Sequence, residues 1–155
     1  MSETQLRPTT MEDVPAMTAI MEALPEWFTP QAVERVRAED CRLPGLVAAD
    51  EDGNIVGFVL WEEKPDEWEI AWVAVAREHH GRGIGRTLLA AMLDRARQAG
   101  IACLRVATVA PTVAYEPYAR TRAFYERCGF RLESVRERGW PDGTDRGDYV
   151  LQLAL

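Results

Sequence analysis

Apolar residues recur along the chain with two different periods, and the change of period divides the sequence into predicted helices and strands. Residues 11–24 and 31–41 repeat apolar positions every three or four residues, which is typical of amphipathic helices. Thr10 followed by Asp13 resembles a capping box at the start of the first of these helices. A short strand is predicted before it, at residues 5–10.

From residue 45 onward the pattern is that of strands. Residues 45–50 and 55–63 flank the turn sequence EDGN, so they predict a hairpin. The segment WEIAWVAVA at 68–76 is almost continuously apolar, which is typical of a central strand that is covered on both faces.

The second half of the chain alternates between helices and strands. Apolar positions from Ile84 to Ala96 share one helical face, and Gly100 is the predicted end of that helix. The remaining predicted elements are a strand at 101–109, a helix at 118–128 and strands at 130–138 and 148–155. The resulting order, β-α-α-β-β-β-α-β-α-β-β, predicts one α/β (α+β) domain over residues 1–155 with a mixed sheet.

The charge balance excludes some classes of partner. The 155 residues carry 25 acidic and 18 basic side chains, which gives a net charge of −7. This balance argues against a general nucleic-acid binder and against docking on anionic lipid, and it is compatible with a cationic small molecule.

Cysteine and histidine do not form a metal-binding pattern. Cys41, Cys103 and Cys128 make no CxxC pair, and the two histidines are adjacent, so we expect no metal and a reducing compartment. The N-terminal stretch lacks the apolar segment of a secretory signal, and no apolar run reaches membrane-spanning length. We therefore expect a cytoplasmic protein.

The segment HHGRGIGR at 79–86, called the glycine loop below, lies between the predicted central strand and the following helix. It contains three glycines, Gly81, Gly83 and Gly85. The P-loop motif and the dinucleotide motif GxGxxG both fail to match it. Unpaired amides at the start of the helix, together with Arg82 and Arg86, nevertheless favour a pyrophosphate. The alternative is a tight turn whose glycines have positive φ.

At this point the sequence resembles a known family. His80–Gly85 is similar to the (Gln/Arg)-x-x-Gly-x-(Gly/Ala) acyl-CoA loop of the GNAT-family N-acetyltransferases, with histidine in place of the first residue. AFYERCGF at 123–130 resembles the second signature of that family, and residues 6–17 resemble its first strand and helix. The resemblance covers nearly the whole chain.

The resemblance implies a fold and an acetyl-CoA site. The fold is a mixed, mostly antiparallel sheet that is splayed between strands four and five, with helices on both faces. Backbone groups of the fourth strand hold the pantetheine as an added strand would, and loop amides hold the pyrophosphate. The implied acetyl-CoA-binding residues are Val73, Ala74, Val75, His80, Gly81, Arg82, Gly83, Ile84, Gly85, Arg86, Tyr118 and Phe124. Tyr118 and Thr121 stand where many members have Asn and Ala.

The resemblance also suggests how the proton transfers of acetyl transfer are divided. Tyr125 is the implied acid that protonates the leaving thiolate, although a core tyrosine fits the same pattern. Glu69, eleven residues before His80, is the implied general base, with Glu62 and Glu67 as competitors. The amide of Val73 is the implied donor to the acetyl oxygen. Three arginines of the predicted last helix either meet the adenosine phosphates or lie on the solvent face of the helix, and the second is expected: Arg120, Arg122 and Arg127.

The predicted function is transfer of an acetyl group from acetyl-CoA to a primary amine by direct transfer in a ternary complex. A small cationic acceptor would suit aromatic and acidic residues predicted in loops and at strand ends, which are Trp27, Phe28, Trp61, Trp68, Tyr115, Tyr118, Trp140, Glu62, Glu63, Glu116, Asp142 and Asp145. The alternatives are a protein N-terminus or lysine as acceptor, a longer acyl group, or a non-catalytic CoA-binding module. A homodimer through the last strands is common among such proteins, and the sequence leaves the oligomeric state open.

Overall fold

The elements follow one another in the predicted order in the computed structural model, which describes residues 4–153. The strands are β1 (Gln5–Pro8), β2 (Gly45–Ala49), β3 (Ile55–Glu63), β4 (Glu67–Val75), β5 (Cys103–Val109), β6 (Arg131–Arg136) and β7 (Arg146–Gln152). The α-helices are α1 (Val14–Glu22), α2 (Pro30–Ala38), α3 (Ile84–Gln98) and α4 (Glu116–Arg127). Short 3₁₀ turns occupy Met11–Asp13, Asp40–Arg42 and Arg77–His79.

The strands form a mixed sheet in the order β1-β2-β3-β4-β5-β7-β6, which confirms the predicted fold class and the central place of β4. β4 and β5 are parallel, whereas β1–β2, β2–β3, β5–β7 and β6–β7 are antiparallel. The chain divides into two compact units, and β4 contributes to both. The first unit comprises residues up to Glu63 together with Ala71–Arg95, and the second comprises Lys64–Ile70 together with the residues from Ala96 onward.

The first unit has a core between its sheet strands and the first two helices. Met17 and Met21 of α1, Val36 of α2 and Phe58 and Leu60 of β3 are fully buried in one cluster. Burial of such side chains is the main favourable contribution to folding, at about 1.5–3 kcal/mol each.

The second unit has one apolar and one polar sheet face. Burial alternates along β5, so Leu104 and Val106 face inward while Arg105 faces the other side. Tyr149 of β7, which lies opposite Val106, is also fully buried. Arg122 of α4 is buried too, and its guanidinium donates hydrogen bonds to the carbonyls of Val109 and Ala110. The predicted place of Arg122 on the solvent face is therefore wrong, because this side chain ties α4 to the end of β5.

Several predicted boundaries also change, among them the start of α4, which is at Glu116 and not at 118, and the start of β7, which is at Arg146 and not at 148. β6 ends at Arg136 and not at residue 138, because Arg138 has a φ of +52° and the chain turns there. β7 is described to Gln152, and the predicted residues 154–155 lie outside the described range. No helix within residues 4–153 is both long and apolar enough to cross a lipid bilayer.

The start of α1 depends on an ion pair between half-exposed Arg7 and buried Asp13, which the capping signal predicts only in part. Asp13 is 5% exposed and accepts two hydrogen bonds of 2.8 Å from the Arg7 guanidinium, as well as one of 2.9 Å from the Thr10 amide. The hydrogen bonds from Arg7 outweigh burial and lower the pKa of Asp13 below its usual value.

We predict that Asp13→Asn lowers the free energy of unfolding by about 1–2 kcal/mol at pH 7. We expect a value at the lower end of this range because Arg7 is half-exposed and solvent screens its charge. A depressed carboxylate pKa stabilises the fold fully above the unfolded value of about 3.9, and the contribution disappears as the pH falls through the folded value. The free energies of urea unfolding of wild type and variant should therefore approach each other as the pH is lowered below about 3.9. The control Asp52→Asn changes an exposed turn carboxylate; curves for Asp13→Asn that stay parallel to wild type at all pH values would contradict this account.

Candidate active site

The predicted site residues divide between the two units. The glycine loop and Val73–Val75 belong to the first unit, whereas Glu69, Tyr118, Phe124 and Tyr125 belong to the second.

The glycine loop has the backbone geometry of an anion-binding turn. Gly81 and Gly83 have φ values of +79° and +80°, which only glycine adopts without strain, and a Cβ at either position would meet no protein atom within 4 Å. Gly85 differs from these two because it is already part of α3. The alternative prediction, a turn whose glycines have positive φ, is thus correct for Gly81 and Gly83. The same turn leaves open space beside its backbone.

The N-terminus of α3 directs unpaired amides and positive charge to the same place. The first helical hydrogen bond runs from Thr87 to the Gly83 carbonyl at 2.9 Å, so the amides of Ile84, Gly85 and Arg86 have no acceptor within the helix. The first turn contains no acidic residue, and Arg82 and Arg86 are exposed. This combination suits a phosphate or pyrophosphate group.

His80 fastens the glycine loop to the end of β4. Its Nε2 atom lies 2.6 Å from the carbonyl oxygen of Val75, so Nε2 carries the donated hydrogen. The edge of its ring packs against Trp27, with centroids 6.0 Å apart. Arg77 makes a second tie, because its guanidinium donates to Glu26 at 2.7 Å and to the Ala23 carbonyl at 3.1 Å. Histidine thus holds the strand that the resemblance assigns to pantetheine.

Tyr125 is a buried side chain with an aromatic surround. It is 4% exposed, and its ring lies 5.4 Å from Phe124 and 5.6 Å from Phe130, centroid to centroid. Burial, and to a smaller extent the nearby Cys128 thiol, raises the pKa of Tyr125 well above its usual value. The hydroxyl therefore keeps its proton at any pH near neutral, which suits a hydrogen-bond donor or acid and excludes a base.

Two glutamates on β4 have different partners. Glu67 and Glu69 are two residues apart and share one face of the strand, where Glu69 pairs in register with Arg105 of β5. Arg105 forms its ion pair with Glu67 through Nε, and its Nη1 lies 2.6 Å from Glu133. The Oε2 atom of Glu67 is buried and accepts no hydrogen bond of good geometry, although it forms the ion pair with Arg105. Glu69 instead lies 3.5 Å from the Lys64 ammonium, and its side chain is 27% exposed.

These partners distinguish the candidate bases. The Glu67 carboxylate is paired with the Arg105 guanidinium, which Glu133 also holds, so a substrate ammonium would have to displace a fixed cation to reach it. The Glu69 and Glu67 side chains are similarly exposed, at 27% and 31%, but the partner of Glu69 is Lys64, a flexible side chain that is 47% exposed. Lys64 and Arg105 were both absent from the sequence-based hypothesis, because no periodic pattern indicates which charged residues meet across a turn or between strands.

Tyr118 and Phe124 lie on α4 with Tyr125. Tyr118 is half-buried and its ring packs edge-on against Tyr115, with centroids 5.0 Å apart. Burial and then the charges of Tyr115 and Asp142 raise the pKa of Tyr118. Tyr115 and Tyr118 therefore present two adjacent rings at this end of α4.

The aromatic and acidic residues that were predicted around the acceptor do not all line one pocket. Trp61 and Trp68 are only 2% and 6% exposed, so their predicted role in an accessible acceptor pocket is wrong. Trp61 donates to Glu63, and Trp140 donates to the Thr108 carbonyl and stacks under Arg146. Several acids also have local partners, as Asp145 accepts from the Thr112 hydroxyl, Asp142 from the Thr144 hydroxyl and Glu116 from Arg120.

Comparison with known sequences agrees with these features. The profile of the acetyltransferase (GNAT) family matches residues 14–130. Streptothricin acetyltransferase from Streptomyces lavendulae is 29% identical over 150 residues, which is 94% of this chain and 75% of that protein. The ribosomal protein bS18-alanine N-acetyltransferase of Escherichia coli K12 is 26% identical over 101 residues, 65% of this chain and 64% of that protein.

Solved structures show the same fold. A protein from Desulfovibrio desulfuricans assigned to the GNAT family superposes with a TM-score of 0.85 at 26% identity, over 98% of this chain and 100% of that one. The S18-alanine N-acetyltransferase of Escherichia coli gives a TM-score of 0.79 at 22% identity, over 99% and 96%. A more distant structure from Bacillus anthracis, with a TM-score of 0.63 at 16% identity over 72% and 62%, contains acetyl coenzyme A. With the family profile spanning most of its length, this chain belongs to the acetyltransferase (GNAT) family and is an N-acetyltransferase.

Proposed function

We propose that this enzyme transfers the acetyl group of acetyl-CoA to a primary amine of a small cationic molecule, directly within a ternary complex. The observation that carries the proposal is the start of α3, where positive-φ glycines, three unpaired amides and two exposed arginines meet in a family that uses acetyl-CoA. The streptothricin acetyltransferase relative, which aligns with 94% of this chain, supports a small-molecule acceptor.

The first unit binds the cosubstrate in this proposal. The amides of Gly81 to Arg86 and the Arg82 guanidinium hold the pyrophosphate. Backbone groups of Val73, Ala74 and Val75 hold the pantetheine, and the Val73 amide donates to the acetyl oxygen as negative charge develops on it. His80 fixes the Val75 carbonyl at 2.6 Å and so keeps the end of β4 in place.

The second unit carries out the proton transfers. Glu69 takes the proton of the acceptor ammonium, because Glu67 is held by Arg105. Tyr125 supplies a hydrogen bond, and then a proton, to the departing sulfur. The raised pKa of Tyr125 supports this role, since the hydroxyl stays protonated through the working pH range.

Charge favours a cationic acceptor. The chain has a net charge of −7, and Asp142 lies close enough to Tyr118 to affect its titration. Tyr118 and its neighbour Tyr115 offer two aromatic rings beside that carboxylate, a combination that attracts ammonium groups. A protein N-terminus is the second candidate, which the bS18-alanine N-acetyltransferase relative supports over 65% of the chain.

We predict that Gly83→Glu abolishes detectable acetyl-CoA binding in calorimetry, because it places a negative side chain where the pyrophosphate is bound. The matched control is Gly53→Glu, in the β2–β3 turn, where φ is +83° and a Cβ likewise meets no atom. Both variants carry similar backbone strain, so only the first should lose the ligand. Equal binding by the two variants would remove the glycine loop from the site.

We predict that an amine panel with thiol detection finds turnover with small cationic amines, such as diamines, aminoglycosides and amino-acid amides. The same panel contains peptides with free N-termini and lysine side chains. Turnover of peptides alone would replace the small-molecule acceptor with a protein acceptor. Acetyl-CoA binding without any turnover would favour a non-catalytic module.

We predict that Tyr125→Phe and Glu69→Gln reduce catalysis with different pH dependence, whichever amine is used. Tyr125→Phe should lower kcat on the order of 10²-fold at every pH from 6 to 9 and leave acetyl-CoA affinity nearly unchanged, because the lost interaction acts in the transition state. The control is Tyr149→Phe, which removes a hydroxyl from another buried tyrosine of the same unit. If Tyr125→Phe and Tyr149→Phe have the same kcat, the Tyr125 hydroxyl takes no part in catalysis.

Glu69→Gln should be most impaired at low pH, where the amine is protonated and needs a base. The defect should fade as the pH rises and neutral amine becomes plentiful. Glu67→Gln serves as the neighbouring control, and its profile should run parallel to that of the wild type. A parallel profile for Glu69→Gln would instead transfer the base role to Glu62, Glu67 or a water molecule.

A further inference from the structure

The turn between β3 and β4 carries the one lysine of the sequence, Lys64. Its amide donates a hydrogen bond of 3.0 Å to the Glu67 carbonyl, so these two residues flank a chain reversal at Pro65 and Asp66. The Lys64 side chain is 47% exposed, and its Nζ atom lies 3.5 Å from Oε1 of Glu69. Both partners of this ion pair belong to the second unit, so the contact is internal to that unit.

Two cations pair with carboxylates on this face of β4, and they are held differently. Arg105 of β5 forms one ion pair with Glu67 and a second, of 2.6 Å, with Glu133 of β6, so its displacement would break contacts among three strands. Lys64 pairs with Glu69 across its own turn. The flexible stem of a lysine lets its ammonium leave a carboxylate and return without any movement of the backbone. The cation on Glu69 is therefore the replaceable one.

The contact between Lys64 and Glu69 combines low stability with constant availability. An exposed ion pair contributes little to folding, and the separation of 3.5 Å exceeds the usual hydrogen-bond length of about 2.7–3.2 Å. Because the ammonium is tethered beside the carboxylate, its effective concentration is nevertheless on the order of millimolar. Any ammonium ion that approaches Glu69 from solution therefore meets a competitor that is always present.

We propose that Lys64 is a specificity-determining residue that competes with the acceptor amine for Glu69. This inference rests on the proposed function, in which Glu69 receives the ammonium of the acceptor. In the free enzyme the Lys64 ammonium occupies the carboxylate, and an acceptor displaces it into solvent. The displaced charge then repels the other positive charges of the bound amine. Lys64 thus weakens acceptor binding, with or without acetyl-CoA, and the effect grows with the number of positive charges on the amine.

The kinetic test uses Lys64→Gln, which removes the competing charge and keeps a polar side chain. KM should fall about twofold to fivefold for butylamine, the range expected for an exposed ion pair, and further for 1,4-diaminobutane and for a triamine. The kcat values should change little, because the competition acts on binding and not on the chemical step. Lys64→Arg keeps the cation and should resemble the wild type.

The matched control is Arg131→Gln, which removes the same charge from an exposed residue of β6 in the same unit. Raising the salt concentration to 1 M, where the screening length is about 3 Å, should erase most of the difference between Lys64→Gln and wild type. Equal KM values for Lys64→Gln and Arg131→Gln would mean that only the net charge matters, and they would refute the competition.

A cross-linking experiment measures the same competition without acetyl-CoA or turnover. A water-soluble carbodiimide joins the Lys64 amine to the Glu69 carboxyl with loss of one water, which intact mass and peptide mapping detect, and Glu69→Gln should abolish this product. N,N,N′,N′-Tetramethyl-1,4-diaminobutane has no primary amine to couple and should suppress the cross-link at concentrations on the order of millimolar, whereas sodium chloride of equal ionic strength should not. A cross-link that forms no faster than in the urea-unfolded chain overturns the proposal, as does one that the diamine leaves unchanged.

These results are separable from the test of Glu69 as a base. A low-pH defect in Glu69→Gln together with equal KM values for Lys64→Gln and Arg131→Gln refutes the competition alone. A Glu69→Gln profile parallel to wild type, with KM lowered in Lys64→Gln and the cross-link suppressed by the diamine, refutes the base role alone and leaves Glu69 as the group that recognises the charge of the acceptor. With no amine turned over, the proposed function fails, and the effect of the diamine on the cross-link still decides the competition.

Discussion

Side chains along β4 alternate between the two faces of the sheet, and this alternation decides which predicted site residues of the strand are exposed. Successive side chains of a strand point to opposite faces, so Trp68 and Ile70 are buried while Glu67 and Glu69 share the other face. A shift of one residue would bury two carboxylates and expose a tryptophan, which the hydrophobic effect forbids. The same strand ends at Val75, whose carbonyl His80 holds, and so its register also determines where the glycine loop begins.

The cations on this face differ in chemistry as well as in place. Arg105 has a planar guanidinium with several donors, and it binds Glu67 and Glu133 at once. Lysine has a single compact ammonium on a flexible stem, and only lysine can lose a proton and act as a nucleophile near neutral pH. Lys64 is the one lysine in the sequence, and its ammonium lies 3.5 Å from Glu69. On this face, Arg105 therefore joins two carboxylates of different strands, whereas Lys64 pairs with a carboxylate across its own turn.

The sequence predicted the order of the elements and the position of the glycine loop between β4 and α3 because both depend on local rules. Helix periodicity, the glycine at the end of α3 and the strand-to-helix junction are written in residues that are close in sequence. Side-chain partners are long-range properties, and here the predictions were weaker. Trp61 and Trp68 were expected in an acceptor pocket, yet their faces of β3 and β4 are buried. Arg122 looked solvent-exposed on a helical wheel, yet it caps the carbonyls at the end of β5, which no pattern within α4 reveals.

The raised pKa of Tyr125 bears on how an acid can work in this enzyme. A free thiol has a pKa of about 8.5, so a tyrosine whose pKa exceeds its ordinary value of about 10 would transfer its proton uphill to a thiolate in water. Burial, however, disfavours every anion, and a thiolate that leaves beside the same aromatic side chains also loses hydration. The pKa of the departing thiol then rises together with that of the tyrosine, and the difference between the two decides the proton transfer. The aromatic surround of Phe124 and Phe130 thus keeps the hydroxyl protonated. In the proposed mechanism, the same surround would also make the sulfur a stronger proton acceptor as the C–S bond breaks.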